Sequence, residues 1–378
     1  MSASKLKKIQ GKELKNCFTN CKLSKTITDG RLMAINDQYL ALAWDTPGLI
    51  NMVDSGNPCN LNKYYNLFSI EDSYILDMEF SPFDSNILSF SNENKNIYVA
   101  KMTGNNEIDS GCYKSHSSKV FFINFNPVAS NVVCSSTLFG EIHIWDTVSF
   151  KRQLEYKFLY NINSILWNPN GSLLGISTSN KLLTIIDPRD NTMIFERQIT
   201  ETNLKTKFLW LDELSFASIG KKNDKKLYLE IYDIRNSNAN PVTSKELDSN
   251  SSYLTPFIDP ELKIIYIIEK DDCYTKLYDY SSGKLQNYGN YKSTEINNFS
   301  IQLSRKYLDK GTHEIDRFAR YTKSNKIYYV SFILNEGNMD YNELYYPNEE
   351  SKYPQMTYEE WYRGNKTIPY KIHNKKKY

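Results

Sequence analysis

The sequence predicts an all-β chain folded as a β-propeller, a ring built from repeated small sheets. Three observations predict it. A self-similar unit recurs with its prolines, Pro82, Pro127 and Pro169, 45 and 42 residues apart, and repeat periods in that range mark propeller blades. Each unit opens on a short apolar strand that ends in an aromatic-x-Pro step. The composition suits half-buried strands: aromatics make up 14% of the 378 residues, with 29 Tyr, while apolar residues reach only 40%. Large rings must therefore supply much of the core volume, and rings pack well on a pleated surface.

Three units align closely. They run Ile75 to Met102, Val120 to Asp146 and Ile162 to Asp187. Their first strands end at Phe80-Ser81-Pro82, Phe125-Asn126-Pro127 and Trp167-Asn168-Pro169. Proline stops a strand there because it has no N–H for the ladder and fixes its own φ. A second apolar strand, a polar turn and a third alternating strand follow; the third strands cover Asn96 to Ala100, Glu141 to Trp145 and Lys181 to Ile186. Weaker copies end at Asp233 and Asp279, each 46 residues after the previous end, and Phe257-Ile-Asp-Pro260 repeats the aromatic–proline step. Upstream, Arg31 to Ile35 and Tyr39 to Trp44 read as strands before Thr46-Pro47-Gly48; downstream, Glu314 to Tyr321 and Lys326 to Leu334 alternate. Six to seven such units account for most of the chain and leave a C-terminal extension. Radial repetition buries each unit against its neighbours, so the ring is one domain.

The repeat resembles the WD40 blade, with one true Trp-Asp pair, Trp145-Asp146. Ser115-His116 stands where that family has Gly-His, and Phe139 where it has a turn Asp. The Asp–His–Ser–Trp hydrogen-bond network of many WD40 blades is therefore expected to be incomplete. More specific stretches are similar to the coronin family. They are Ser115 to Ser136, Leu166 to Gln198 with its Asp187-Pro188-Arg189, and Glu246 to Asp272. They continue through DRFARYTKSNKIYYVSFIL, ELYYPNEE and TYEEWYRGNKTIPYKI near the C-terminus. The likeness runs in order through nearly the whole chain.

What this resemblance implies is a seven-bladed WD40 β-propeller over residues 1–335, closed by strands from both termini. A C-terminal extension, 336–378, would pack on one face. The implied partner is F-actin, together with actin-branching and severing factors, in the cytoplasm and its actin cytoskeleton. Ser4 to Gly11 is similar to the coronin N-terminal segment, with Lys7 and Lys8 in place of Arg and His. Lys22 falls where coronins carry a basic filament-binding residue, and Lys25 at the next basic position. The expected actin contact is thus Lys22, Lys25, Lys7, Lys8 and Arg31. In a straight strand Lys22 and Lys25 would face opposite sides. Lysine also lacks the bidentate fork of arginine. Coronins continue into a coiled coil; the last 60 residues here show no heptad pattern, so the chain by itself is expected to be a monomer that binds filaments without crosslinking them.

Charge placement agrees with that contact. The net charge is +2, yet residues 1–31 hold eight basic and two acidic side chains, leaving the remainder at −4. A basic edge steers acidic surfaces toward itself in a salt-dependent way. An acidic run, Asp340 to Glu360, is a candidate to neutralise that edge from within.

Other functions find little footing. No phosphate-binding loop, nucleophile elbow or His-Glu-x-x-His zinc motif is present, and the four histidines, 116, 143, 313 and 373, fall at unrelated blade positions. No enzyme activity, cofactor or metal is expected. The six cysteines form no C-x-x-C pair; Cys17 and Cys21 read as ordinary thiols. Phosphoinositide-binding propellers use paired arginines, and no Arg-Arg exists here. Lys221, Lys222, Lys225, Lys226 and Lys375 to Lys377 are read as solvated turns, with acidic-lipid contact the alternative. A charge of +2 does not suit nucleic acid. The N-terminus lacks the apolar core of a signal peptide. The alternative to actin binding is a generic WD40 interaction scaffold, since a fold alone assigns no partner.

Overall fold

The computed structural model describes residues 9–26, 28–62, 67–69, 71–103, 108–114, 116–149, 151–198, 206–222, 224, 226–236, 240–249, 253–308, 310–334, 348–364 and 371–373. It contains seven four-stranded antiparallel sheets. Each is one blade, with strands a to d running outward from a central axis around which the a strands of neighbouring blades touch.

Blade 1 comprises Met33–Ile35, Tyr39–Ala43, Leu49–Asp54 and Leu67–Ser69, and blade 2 Ile75–Phe80, Ile87–Asn92, Asn96–Met102 and Ile108–Lys114. Blade 3 is Val120–Phe125, Val132–Thr137, Glu141–Asp146 and Lys151–Lys157; blade 4 is Ile162–Trp167, Leu174–Thr178, Leu182–Asp187 and Thr192–Gln198. Blade 5 is Lys207–Trp210, Ser215–Lys221, Leu227–Asp233 and Thr243–Leu247; blade 6 is Leu254–Asp259, Ile264–Glu269, Tyr274–Asp279 and Gln286–Lys292. Blade 7 takes Asn297–Leu303, Glu314–Thr322 and Ile327–Leu334 from the end of the ring and Ile9–Phe18 from its beginning. Ile9 pairs with Leu334 and Phe18 with Ile327, so the N-terminal strand latches the circle shut.

The aromatic-x-Pro step has a local cause. Its middle residue carries a side-chain oxygen that closes the a–b turn. Ser81 Oγ accepts from Phe83 N, Asn126 Oδ1 from Val128 N and Ala129 N, Asn168 Oδ1 from Leu173 N, and Asp259 Oδ1 from Leu262 N. Short polar side chains favour such turns for this reason.

Blade 3 corrects an expectation. Its polar network is built. Ser135 Oγ receives Trp145 Nε1 at 2.8 Å and lies 2.7 Å from His116 Nε2. His116 Nδ1 faces Glu141 Oε2 at 3.3 Å, and Glu141 also accepts from Ser117 N and Oγ at 3.0 and 2.5 Å. The carboxylate comes from the first residue of strand c, two positions beyond Phe139, because glutamate has the reach to span that step. Ser115 itself lies outside the described residues.

Antiparallel order places all a–b and c–d turns on one face of the ring, here called lower, and all b–c turns and d–a connections on the upper face. The extension crosses the lower face. Met356 bridges Ala129, Gln355 N donates to Val128 O, and Ser130 N donates to Met356 O. A short helix, Tyr358–Tyr362, is started by a capping box between Thr357 and Glu360. It buries Trp361, 1% exposed, edge-on to Trp167 at 5.6 Å, with its Nε1 on Gly171 O at 2.7 Å.

Candidate functional site

The segment from 19 to 31 leaves the latch strand and enters blade 1 across the upper face. Cys21 N donates to Asn325 O of blade 7, and Leu23 bridges Trp44 of blade 1. Cys21 and Leu23 are buried, so Lys22 between them must project outward. Burial pushes the Cys21 thiol up to about 12, with Cys17 and Cys59 nearby adding to the effect. It is an inert packing group, as the sequence suggested.

Alternation fails after Leu23. Ser24 is buried, its Oγ accepting from Thr26 N at 3.2 Å and contacting Thr26 Oγ1 at 2.9 Å. This serine turn breaks the alternation, and both lysines are exposed despite their odd spacing. Lys25 Nζ lies 3.0 Å from Asp45 Oδ2 with 86% of its side chain exposed. At that exposure the pair is weak and leaves the ammonium available. Lys22 has no ion-pair partner among the described residues.

Arg31 has a different task. It spans Asp77 at 2.9 and 3.1 Å and Glu79 at 2.7 Å, and donates to Ile123 O. The same carboxylates accept the main-chain N–H groups of Ile123 and Phe125, both at 2.6 Å. Burial opposes the guanidinium charge, and the two carboxylates more than offset it, so Arg31 stays above its ordinary value. Thr28 Oγ1 donates to Leu76 O at 2.8 Å. Gly30 is required where it stands: a Cβ there would come 2.4 Å from Leu76 O and 2.7 Å from Phe121 O. Residues 28–31 are thus bolted to the inner strands of blades 2 and 3. Sequence reasoning grouped Arg31 with the exposed lysines; the missed signal was two acids inside the apolar strand ILDMEF.

Lys7 and Lys8 lie outside the described residues, as do Lys225, Lys375 to Lys377, Asp340 and Glu343. Of the acidic run, Glu359 and Glu360 sit in the helix on the lower face, and among the described residues neither pairs with the N-terminal lysines. Internal neutralisation of Lys22 and Lys25 by these two acids is thereby set aside.

The histidines also need correction. His116 and His143 are not at unrelated positions: their rings stack at 3.9 Å, 14° from parallel. With Glu141 they bring three donor atoms within 4.8 Å of one another. Face-to-face rings, however, aim their in-plane lone pairs side by side, not at one point, and both nitrogens of His116 are engaged within blade 3. The arrangement suits a structural network and does not converge on a cation. Among the described residues no helix is long and apolar enough to cross a membrane.

A family model described as "Domain of unknown function (DUF1899)" matches residues 1–52, the stretch holding Lys22, Lys25 and Arg31. The chain is 24% identical over 380 residues to the coronin-like protein crn1 of Schizosaccharomyces pombe, covering 97% of this chain and 63% of that protein. It is 26% identical over 367 residues to coronin-A of Dictyostelium discoideum, covering 93% and 81%. It thus spans less than two thirds of the fission-yeast relative. Among solved structures, the WD40 domain from Toxoplasma gondii coronin superposes with a TM-score of 0.91 at 23% identity, over 98% of both chains. Alignments to coronins over nearly the whole of this chain, a matching propeller and the N-terminal family match agree in their support for a coronin-family protein.

Proposed function

We propose that this chain binds actin filaments through its upper face and so takes part in organising the actin cytoskeleton. The observation that carries the reading is Lys22, an exposed ammonium with no ion-pair partner among the described residues, held between two buried side chains at the blade 7 to blade 1 junction. A partner meeting Lys22 also meets Lys25, three residues on and equally solvent-facing. The segment that carries them is tied by main-chain bonds to blades 7 and 1, Cys21 N to Asn325 O and Ser24 N to Ala43 O, so little ordering is needed on binding. In sequence, Lys7 and Lys8 belong to the same basic N-terminal stretch and precede the latch strand. Arg31 serves as the internal bolt that fixes the segment's far end.

The division into a propeller over 1–335 and an extension over 336–378 belongs to the same reading. So do a cytoplasmic, actin-rich location and cooperation with branching and severing factors. The site is a charged protein-docking surface, not a catalytic one.

The test is co-sedimentation with actin filaments at low and physiological salt, comparing the wild type with Lys22→Asp. The wild type pellets, less so as salt rises, and the charge reversal weakens binding about tenfold or more. Wild-type protein that stays in the supernatant even when fused to a dimerising coiled coil overturns the reading. Equal pelleting by both proteins removes Lys22 from the contact and leaves the partner standing.

A further inference from the structure

Position 139 is released from the blade 3 network by Glu141, and it presents a phenyl ring to solvent. Phe139 is 61% exposed, Leu159 92% and Tyr160 46%. These three belong to one continuous surface. Phe158 N donates to Gly140 O and Ile162 N to Leu138 O, each at 2.8 Å, zipping the b–c turn of blade 3 to the connection into blade 4. Ser179 N donates to Asn161 O at 2.8 Å, which adds the b–c turn of blade 4. The backbone beneath is pinned. Gly140 has φ +91°, and a Cβ there would lie 2.2 Å from Phe158 O.

The charge of this surface is one-sided. Residues 138–140, 157–161 and 179–181 contain Lys157 and Lys181 and no acid. The neighbouring carboxylates are committed elsewhere: Glu141 to His116 and Ser117, Glu155 to Arg152 at 3.0 Å. Clustered exposed rings and aliphatics on a rigid turn are the usual anchors of a protein contact. The flanking lysines select a partner that is acidic around an apolar recess.

We propose that Phe139, Leu159 and Tyr160, flanked by Lys157 and Lys181, form a second contact with the acidic filament surface that Lys22 and Lys25 meet. This rests on the filament-binding reading. It follows from the topology: these turns share the upper face with the lysine segment, so a flat partner touching one comes up against the other. The blade 1 end supplies charge without apolar anchors, and the blade 3–4 end supplies the anchors.

The experiment compares wild type, Phe139→Ser/Leu159→Ser and Lys22→Asp by filament co-sedimentation, with thermal melts of each and flotation on phosphatidylserine vesicles. Because the replaced side chains are exposed, melting is unchanged. The double variant should then lose about tenfold or more in filament affinity. A variant that pellets like the wild type overturns this proposal and leaves the filament reading intact. Vesicle flotation by the wild type that the double variant loses, with pelleting unaffected, assigns the patch to membranes and overturns it too. If the wild type does not pellet even when fused to a dimerising coiled coil, both readings fall together.

Discussion

Ser135 stands mid-way along strand b of blade 3, opposite Ile123 and His143. The equivalent place in blade 7, opposite Ser300 and Tyr328, is held by Arg320. Both sites are buried, at 0% and 2% exposure. Around Ser135 every polar group it addresses is answered: Trp145 donates to it and His116 lies within bonding distance. Around Arg320 the bonding is thin. Nε lies 3.5 Å from Asn297 Oδ1, and neither Nη1 nor Nη2 has a hydrogen-bond partner among the described residues. Blade 7 is nonetheless the blade on which closure depends. The ring is therefore held by topology and apolar packing around the latch strand, and an internal polar network is an addition that a given blade can lack. Where such a network exists, breaking it is expensive, because it leaves buried partners unsatisfied.

The largest effect expected from that contrast is Ser135→Ala. It strips the acceptor from Trp145 Nε1 and the partner from His116 Nε2, both buried. At about 1–3 kcal/mol for each of the two orphaned groups, the loss is about 2–6 kcal/mol. Urea denaturation measures it. A loss near zero would mean that blade 3, like blade 7, stands without its network.

Acid probes the same blade from another side. Burial, then the neighbouring His143, pushes His116 down to about 3, while Glu141 pulls the other way. Burial and Arg152 lower His143, against Glu155 and Glu141. A folded-state value below the unfolded one means the unfolded chain binds more protons once pH drops under about 6.5. Stability is then lost progressively from there toward pH 3. Between pH 7 and pH 5, His116 alone accounts for about 2 kcal/mol, at 1.36 kcal/mol per pH unit below 6.5. His143→Phe keeps a ring in the stack and should shrink the loss; an unchanged pH slope would shift the cause to other groups.

The sequence disclosed these regions unequally, for physical reasons. Strands a, b and c were legible because burial forces apolar residues on them, as in Val132–Thr137, where every residue is buried. The d strands were not. Lys151–Lys157 and Gln286–Lys292 are edge strands with mostly exposed side chains, so no apolar pattern marks them in the sequence. Lys22 and Lys25 were singled out through family likeness, and the reason both are exposed came only with the serine turn at Ser24. The ion pairs of Arg31 were not legible because Asp77 and Glu79 lie 46 and 48 residues away, one blade period along the chain. Glu141 was overlooked because the acid was sought at a fixed turn position, whereas the network constrains where a carboxylate arrives and not where its backbone starts.

The smallest effect carries the opposite sign. Burial pushes Arg320 below its ordinary value, and Tyr291, Glu13, Cys273 and Asp272 support the cation only in part. Glu13 is itself occupied, accepting from Thr294 N and Oγ1 at 2.8 and 2.6 Å. A buried cation with one long hydrogen bond and no ion-pair partner among the described residues is poorly compensated, and apolar replacement of buried charges is often neutral or stabilising. Arg320→Met keeps the length of the side chain and leaves Asn297 Oδ1 its bond from Ser300 Oγ at 2.7 Å. We expect a gain of about 1 kcal/mol, read as a higher denaturation midpoint at an unchanged m-value. A loss of about 3 kcal/mol or more would show that blade 7 compensates this guanidinium as fully as blade 3 satisfies Ser135, and the two blades would then differ in chemistry but not in principle.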